Sequence, residues 1–528
     1  MRVENSIKNI YINIISQIII ILLGFISRKV FIDSLGTEYL GINGLLTNVL
    51  SMLSLVECGI GTSIVYNLYK PLAEDDRPKI IALVQLYKKI YSGLAVLIFL
   101  LGMVLYPFLG IFIKQEEKIQ YLFIVYIIFV IKNVITYLNA HKWSLINADQ
   151  KGYVLARYNI LFNVTTTISR ILILKFTNNY IFYLSIELVI IIIQNIWNGR
   201  IVNIRYPYIK EKKKYSIDNK IKENLKTNVK AIFLHNIGTY CVFGTDNLLI
   251  SSLVDLKTVG LYSNYTMIIN QLSSLITPIL NGIGASVGNL IVTEDDTKTY
   301  EIFNITYLIN FWIYSFSVIF LYNLLEPFID LWLGKGLLLG KITFIVILIN
   351  FYLSGLRKSI LIFKDKAGIF APDKYAPIIE SIINLLASII LARRLGVIGI
   401  FLGTTISSVT VPIWLQAKIV YNDIFNKSVY VYFAKYIMYL FITLIAGGIS
   451  TILCNTFIQF NGFFSLVLKG LICVIVPNLM YILLFYKTKE FKYIKSIIVN
   501  MIGRKLKNNR NNKGDINEKE IKESSNLG

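Results

Sequence analysis

Charge is scarce in this sequence. Only 16% of its 528 residues are Asp, Glu, Lys or Arg, against about a quarter in an ordinary soluble domain, while 55% are hydrophobic and the mean hydropathy is +0.62. That balance argues against a soluble fold and predicts a membrane protein. Acidic residues are the scarcer sign: 31 Asp and Glu stand against 53 Lys and Arg, a formal net charge of +22. In so apolar a chain this excess reads as loop charge on one side of a membrane, with no nucleic acid as partner. Only two histidines occur, His141 and His235, too far apart for an HExxH zinc site. The four cysteines, Cys58, Cys241, Cys454 and Cys473, form no CxxC and lie in apolar stretches, so they read as small buried hydrophobes. No GxxxxGK[ST] is present, and GKGLLLGKI at 334–342 is only a near miss, which argues against an ATP-driven pump. At roughly 20 apolar residues per crossing, 528 residues have room for about a dozen or more helices with short connections and little for a soluble domain, so no large extramembrane catalytic domain is expected.

What the sequence has is apolar runs. At roughly 20 residues per crossing, runs bounded by charges or turn residues predict fourteen transmembrane helices, starting near residues 7, 42, 83, 119, 156, 180, 231, 258, 302, 341, 376, 397, 430 and 463. The first has no small-residue cleavage site after it and reads as a retained span. Clustered Lys and Arg fall in alternate connections: 70–79, 141–157, 200–230, 357–374, 418–435 and the tail from 487. Residues 200–230 alone hold ten basic and three acidic residues, and the tail eleven and five. The positive-inside rule therefore places both termini in the cytoplasm. Arg28, Lys29, Arg393 and Arg394 are exceptions, near the expected outer helix ends. The polar tail is expected to be disordered.

The two halves resemble each other. TEYLGINGLLTNVLSMLSLVECGIGTS, followed by EDD at 74–76, parallels KTVGLYSNYTMIINQLSSLITPILNGIGAS, followed by EDD at 294–296, at an offset of about 220 residues. A shift of 223 carries Thr47, Ser51, Ser54, Cys58 and Gly61 onto Asn270, Ser274, Thr277, Asn281 and Gly284, each a one-face helical spacing. DQKG at 149–152 parallels DKAG at 365–368, and TNNYIFYLS at 177–185 parallels GVIGIFLGT at 396–404. The expected fold is all-α: two pseudo-symmetric six-helix bundles, spans 1–6 and 7–12, around a central cavity, plus two C-terminal helices. An even number of spans per copy makes the repeats parallel. The expected boundaries are 1–200 for the N-terminal bundle, 201–230 for a basic linker, 231–422 for the C-terminal bundle, 423–486 for spans 13 and 14, and 487–528 for the tail. The polar stripes on spans 2 and 8 serve either close helix packing or cavity lining, and the size and polarity of Asn270 and Asn281 suit the second.

Ionisable residues at membrane depth cost several kcal/mol and face a bundle interior or a wet cavity. Arg28, Lys29, Glu57, Lys132, Arg170, Glu187, His235, Asp246, Arg357, Lys358 and Glu380 are such residues. The stems of Lys132, Arg170, Arg357 and Lys358 allow snorkelling to an interface, and His235 suits a bond to a carbonyl or a place in the cavity. Glu57 and Asp246 occupy corresponding regions of the two halves. They either form an ion pair with Arg28 or Lys29 or bind a coupling Na+ or H+.

These residues resemble a known family. SRKVFIDSLGTEYLGINGLLTNVLSMLSLVECGIGTSIVYNLYKPLAEDD is similar to the first two helices of capsule and O-antigen repeat-unit flippases, and GTDNLLISSLVDLKTVGLYSNYTMIINQL to their helix 7 to 8 hairpin. These are the polysaccharide transporters of the multidrug, oligosaccharidyl-lipid and polysaccharide exporter superfamily. The resemblance implies a flippase, not an enzyme, in the bacterial plasma membrane. It would carry undecaprenyl-diphosphate-linked oligosaccharide from the cytoplasmic to the outer leaflet by alternating access, alongside other polysaccharide assembly proteins. It further implies a cationic central cavity for the diphosphate, with Arg28 at the family's helix 1 arginine position and Asp246 at a helix 7 acidic position. Lys29, His235, Asn270 and Asn281 join Arg28 as expected substrate contacts on depth and chemistry, and Asp33 and Glu57 join Asp246 as expected ion-pair or cation-coupling groups. No metal or organic cofactor is expected. The rival readings are a flippase for a peptidoglycan or teichoic-acid-type precursor, a cation-coupled multidrug antiporter of the same superfamily, and a membrane glycosyltransferase or polymerase using the two EDD triplets as metal ligands.

Overall fold

The computed structural model describes residues 2–57, 60–113, 121–211, 213, 215, 244–369, 372–496 and 499. Side chains are described from Ile18 onward within those ranges, apart from 62–64, 66, 281, 285–286, 288–289 and 292–293. His235 and Cys241 therefore lie outside the described residues, as do Cys58 and the side chain of Asn281. Among the described residues there are sixteen α-helices and no strand: α1 (Arg2–Leu53), α2 (Ile60–Ala73), α3 (Arg77–Leu105), α4 (Leu122–Leu138), α5 (Ala140–Ala148), α6 (Tyr153–Thr177), α7 (Tyr180–Arg205), α8 (Asp246–Leu253), α9 (Leu256–Thr293), α10 (Asp296–Leu333), α11 (Lys341–Lys366), α12 (Ala376–Leu395), α13 (Val397–Thr410), α14 (Pro412–Asp423), α15 (Tyr430–Phe457) and α16 (Phe463–Phe485).

Nine described segments are long and apolar enough to cross a membrane, and α4 with α5, bent by 44°, makes a tenth. They coincide with ten of the fourteen expected spans. Of the other four, those starting near 42 and 231 contain residues outside the described set, and those starting near 7 and 258 contain residues whose side chains are not described. The chain is a multi-pass membrane protein. Only 28% of the apolar window of α15 and 17% of that of α16 is buried inside the protein, as helices facing hydrocarbon require.

Local chemistry sets the helix ends. Gly36 takes φ 83°, ψ 178°, a conformation open to glycine almost alone, and kinks α1 between the first two expected spans. Asp76 caps α3, accepting from Lys79 N at 3.2 Å, and Asp295 caps α10 in the same way, accepting from Lys298 N at 2.8 Å. The two EDD triplets thus share a helix-capping role, each Asp satisfying an N–H that a first turn leaves without a partner. The TNN turn works similarly: Asn178 closes α6 at φ 48° and Asn179 Oδ1 accepts from Ile181 N and Phe182 N to start α7. Arg393 and Arg394 form the last turn of α12, where positive charge complements the carbonyl end of the helix.

The chain divides into two compact units. Unit 1 comprises Met1–Ser273, Ile329–Asn350 and Asp373–Pro412. In it α1 packs on α6 and α8, α6 on α7, and α12 on α13. The α1 and α9 backbones meet at Gly41 and Gly260, where a Cβ on either would overlap the carbonyl of Leu256 or Thr37. Unit 2 comprises Ser274–Phe328, Phe351–Pro372 and Ile413–Gly528. Its core is aromatic: Phe303, Tyr307 and Phe311 recur every four residues on α10, with Tyr307 stacked on Tyr432 and Phe311 on Tyr439. Such rings supply directional packing where lipid offers helices no hydrophobic drive.

Candidate substrate-binding site

Within unit 1 a cavity of about 320 Å³ opens between α1, α6, α7 and α9. Two guanidiniums line it, Arg28 from α1 and Arg170 from α6, with Asn43, Asn163, Thr167 and Tyr183 among the other lining residues. Helical periodicity accounts for the α6 contribution, since Asn163, Thr167 and Arg170 share one face. Arg28 is half-buried and its Nη1 donates to Ser263 Oγ at 2.8 Å, while Ser263 Oγ donates to Gly260 O at 2.7 Å. The contact between Gly41 and Gly260 therefore brings α9 close enough to hold Arg28 in place.

Arg170 is fixed from two sides. Its guanidinium lies 4.1 Å from the centre of the Tyr183 ring, and its Nη1 is 3.6 Å from Glu187 Oε1. Glu187 Oε2 is at the same time 2.8 Å from Lys132 Nζ. Snorkelling, which their stems allowed, is thus not the placement of Lys132 or Arg170: both turn inward to one carboxylate. Among the described residues the cavity lining holds two cations, Arg28 and Arg170, and no carboxylate, while Glu187 is shared between Arg170 and Lys132, so positive charge dominates. Guanidiniums beside amide and hydroxyl groups form a site suited to phosphate oxygens, which arginine binds through two parallel N–H bonds.

The other expected residues have different surroundings. Lys29 Nζ donates to Trp332 O at 2.9 Å, in the last turn of α10, and lies 3.9 Å from Asp33 Oδ2 with both side chains about half exposed. Glu57 Oε1 accepts from Tyr91 OH at 3.0 Å. Asp246 is buried at the start of α8, where Tyr262 OH donates to its Oδ2 at 3.5 Å and its Oδ1 has no hydrogen-bond partner among the described residues. Both carboxylates thus face a tyrosine instead of Arg28 or Lys29. Asn270 is exposed on α9 and is not among the cavity-lining residues. Of the expected contacts whose side chains are described, Arg28 alone is among the cavity's lining residues. Arg170, Asn43, Asn163 and Thr167 complete the site, and the spacing of Asn159, Asn163, Thr167 and Arg170 along α6 is the signal that marks them.

Residues 6–283, more than half of the chain, match the family described as polysaccharide biosynthesis protein. In fold the chain is similar to a solved Lipid II flippase, MurJ, in an inward closed conformation, at 15% identity and TM-score 0.61 over 92% of this chain and 99% of that one. It is also similar to the Vibrio cholerae MATE transporter VcmN, at 11% identity and TM-score 0.56 over 81% of this chain and 99% of that one. A third similar structure is an inward-facing multidrug resistance transporter of the MATE family and MOP superfamily, at 13% identity and TM-score 0.56 over 76% and 94%. Comparison with curated proteins gives no match. The fold is that of the MOP transporters, and the chain belongs to the polysaccharide biosynthesis protein family.

Proposed function

We propose that this protein is a flippase that moves an undecaprenyl-diphosphate-linked oligosaccharide from the cytoplasmic to the outer leaflet of a bacterial plasma membrane, for capsule- or O-antigen-like polysaccharide assembly. The observation that carries the reading is the pairing of Arg28 and Arg170 in one cavity within a transporter fold. A diphosphate cannot enter hydrocarbon without compensation. Two guanidiniums compensate it through charge-assisted hydrogen bonds, while a lipid tail stays in the bilayer. Alternating access then moves the headgroup, and no bond is broken. An inside-negative potential favours outward movement of negative charge by about 2.3 kcal/mol per charge per 100 mV.

A multidrug antiporter on this fold would need acidic groups to hold organic cations, and the cavity presents arginines instead. A Lipid II-type precursor remains the nearest rival substrate, because it carries the same diphosphate. For a coupling ion, Asp246 is the proposed carrier of H+ or Na+, since it is a buried carboxylate with one oxygen that no described residue bonds. Both termini are proposed to be cytoplasmic, on the distribution of Lys and Arg. The test is transport in proteoliposomes of the lipid-linked sugar by the intact protein and by Arg28→Ala and Arg170→Ala. The reading expects transport by the first and a loss of about tenfold or more in each variant. Efflux of organic cations with no movement of any lipid-linked sugar would reject it.

A further inference from the structure

A second cavity, of about 770 Å³, lies in unit 1 between α4, α5, α6 and α7. Among the described residues no charged side chain lines it. Its polar wall includes Asn147, Gln150, Asn159, Gln194, Asn195 and Asn198, with Thr136 and the indole of Trp143 beside them. Amides inside membrane bundles commonly glue helices together, and part of this wall does so. Asn159 Oδ1 accepts from Gln194 Nε2 at 2.9 Å and from Asn198 Nδ2 at 2.8 Å, and Asn195 Nδ2 donates to Ile135 O at 3.0 Å. Glue alone closes the space between helices, yet here the helices stay apart around a volume in the range of small-molecule sites. Asn198, only 5% exposed, keeps its Oδ1 without a hydrogen-bond partner among the described residues. Such an orphaned acceptor costs about 1–3 kcal/mol unless a ligand or water satisfies it.

The chemistry selects the ligand. A primary amide offers donors and an acceptor side by side, which matches neighbouring hydroxyls. An indole offers an apolar face, which matches the C–H face of a pyranose ring. The absence of charge from the lining gives no reason to bind ions. We infer that this cavity binds uncharged carbohydrate, and that it is the sugar subsite for the lipid-linked substrate.

The arrangement on α6 joins the two cavities. Asn159 lines the amide cavity, while Asn163, Thr167 and Arg170 line the cationic one, and all four follow one helix face at spacings of four, four and three. From Asn159 to Arg170 the helix rises about 16 Å. A diphosphate held at Arg28 and Arg170 would therefore leave its sugars lying along α6 toward Trp143 and Asn147. This inference rests on the flippase reading.

The test measures binding of undecaprenyl diphosphate, with and without a single N-acetylglucosamine, to the full-length protein in lipid nanodiscs. The intact protein is expected to bind the sugar-bearing lipid about tenfold more tightly, the equivalent of one or two amide hydrogen bonds. Trp143→Ala and Asn147→Ala should each reduce that preference to about threefold or less while affinity for the bare diphosphate lipid is unchanged. Asn147 is exposed, so its variant retains the fold even where Trp143→Ala does not. Arg28→Ala should weaken both lipids alike. Equal affinity of the intact protein for the two lipids overturns the sugar subsite and leaves the flippase reading standing, as does a preference that survives in Asn147→Ala and a folded Trp143→Ala. Failure of the intact protein to bind either lipid overturns the flippase reading itself.

Discussion

Gly41 and Gly260, at matching places in two similar sequence segments, touch backbone to backbone, and neither position has room for a Cβ. The contact lies where the similar segments TEYLG and KTVG align. Close approach of this kind is what small residues give membrane helices. The same contact puts Ser263 within hydrogen-bond reach of Arg28. Gly41→Ala and Gly260→Ala should each destabilise the protein, by about 1–3 kcal/mol for overpacking. Gly44→Ala should be mild, since its Cβ would meet only Val259 Cγ1 at 3.4 Å and Asn247 Nδ2 at 3.6 Å. Thermal melting of the purified protein checks the ranking, and equal melting of Gly41→Ala and Gly44→Ala would argue against the contact.

Glu187 is the only carboxylate described between Lys132 and Arg170, and its side chain is 15% exposed. Removing one member of a buried ion pair leaves an uncompensated charge, at a cost of about 3–5 kcal/mol. Glu187→Gln should therefore melt well below the intact protein. Lys132→Met should cost less, because Glu187 keeps Arg170. A Glu187→Gln protein as stable as the parent would show that the three groups do not act together.

Asp76 gives a pH signature. The Lys79 ammonium and backbone N–H bond its carboxylate and hold its pKa below the usual range. A lowered folded pKa contributes stability that is present above the unfolded value, about 4, and is lost as the pH falls through the folded value. Asp76→Ala should thus lower the melting temperature at neutral pH, and the difference from the parent should vanish in strong acid. A difference of the same size at both pH values would mean that the cap does not act through the ionised carboxylate.

Much of the fold was legible in the sequence, because apolar run length and bounding charge are read directly by the membrane. Ten expected spans start within about six residues of observed helices or helix pairs. The two EDD triplets were legible as landmarks, and their Asp76 and Asp295 cap the following helices alike. The site was legible only at Arg28. Arg170 and Lys132 have stems long enough to reach an interface, and sequence alone does not show that Glu187, on a different helix, turns both inward. The stripe on span 2 was expected to continue through Ser54 to Gly61 on one helix, yet Ser54 to Glu57 form a 3-10 turn and α2 begins at Ile60. The amide cavity escaped notice because Asn and Gln draw no attention in a search for charged residues at membrane depth. Arg393 and Arg394, unexplained by the charge bias, are accounted for once the C-terminal turn of α12 is seen around them.

The measurement that bears most directly on function is outward movement of an undecaprenyl-diphosphate-linked sugar in proteoliposomes, comparing the intact protein with Arg28→Ala and Arg170→Ala of equal folded content. The paired-arginine cavity predicts transport by the intact protein and a loss of about tenfold or more in each variant, from about 1.5–3 kcal/mol of lost charge-assisted bonding. Full transport by both variants would contradict it.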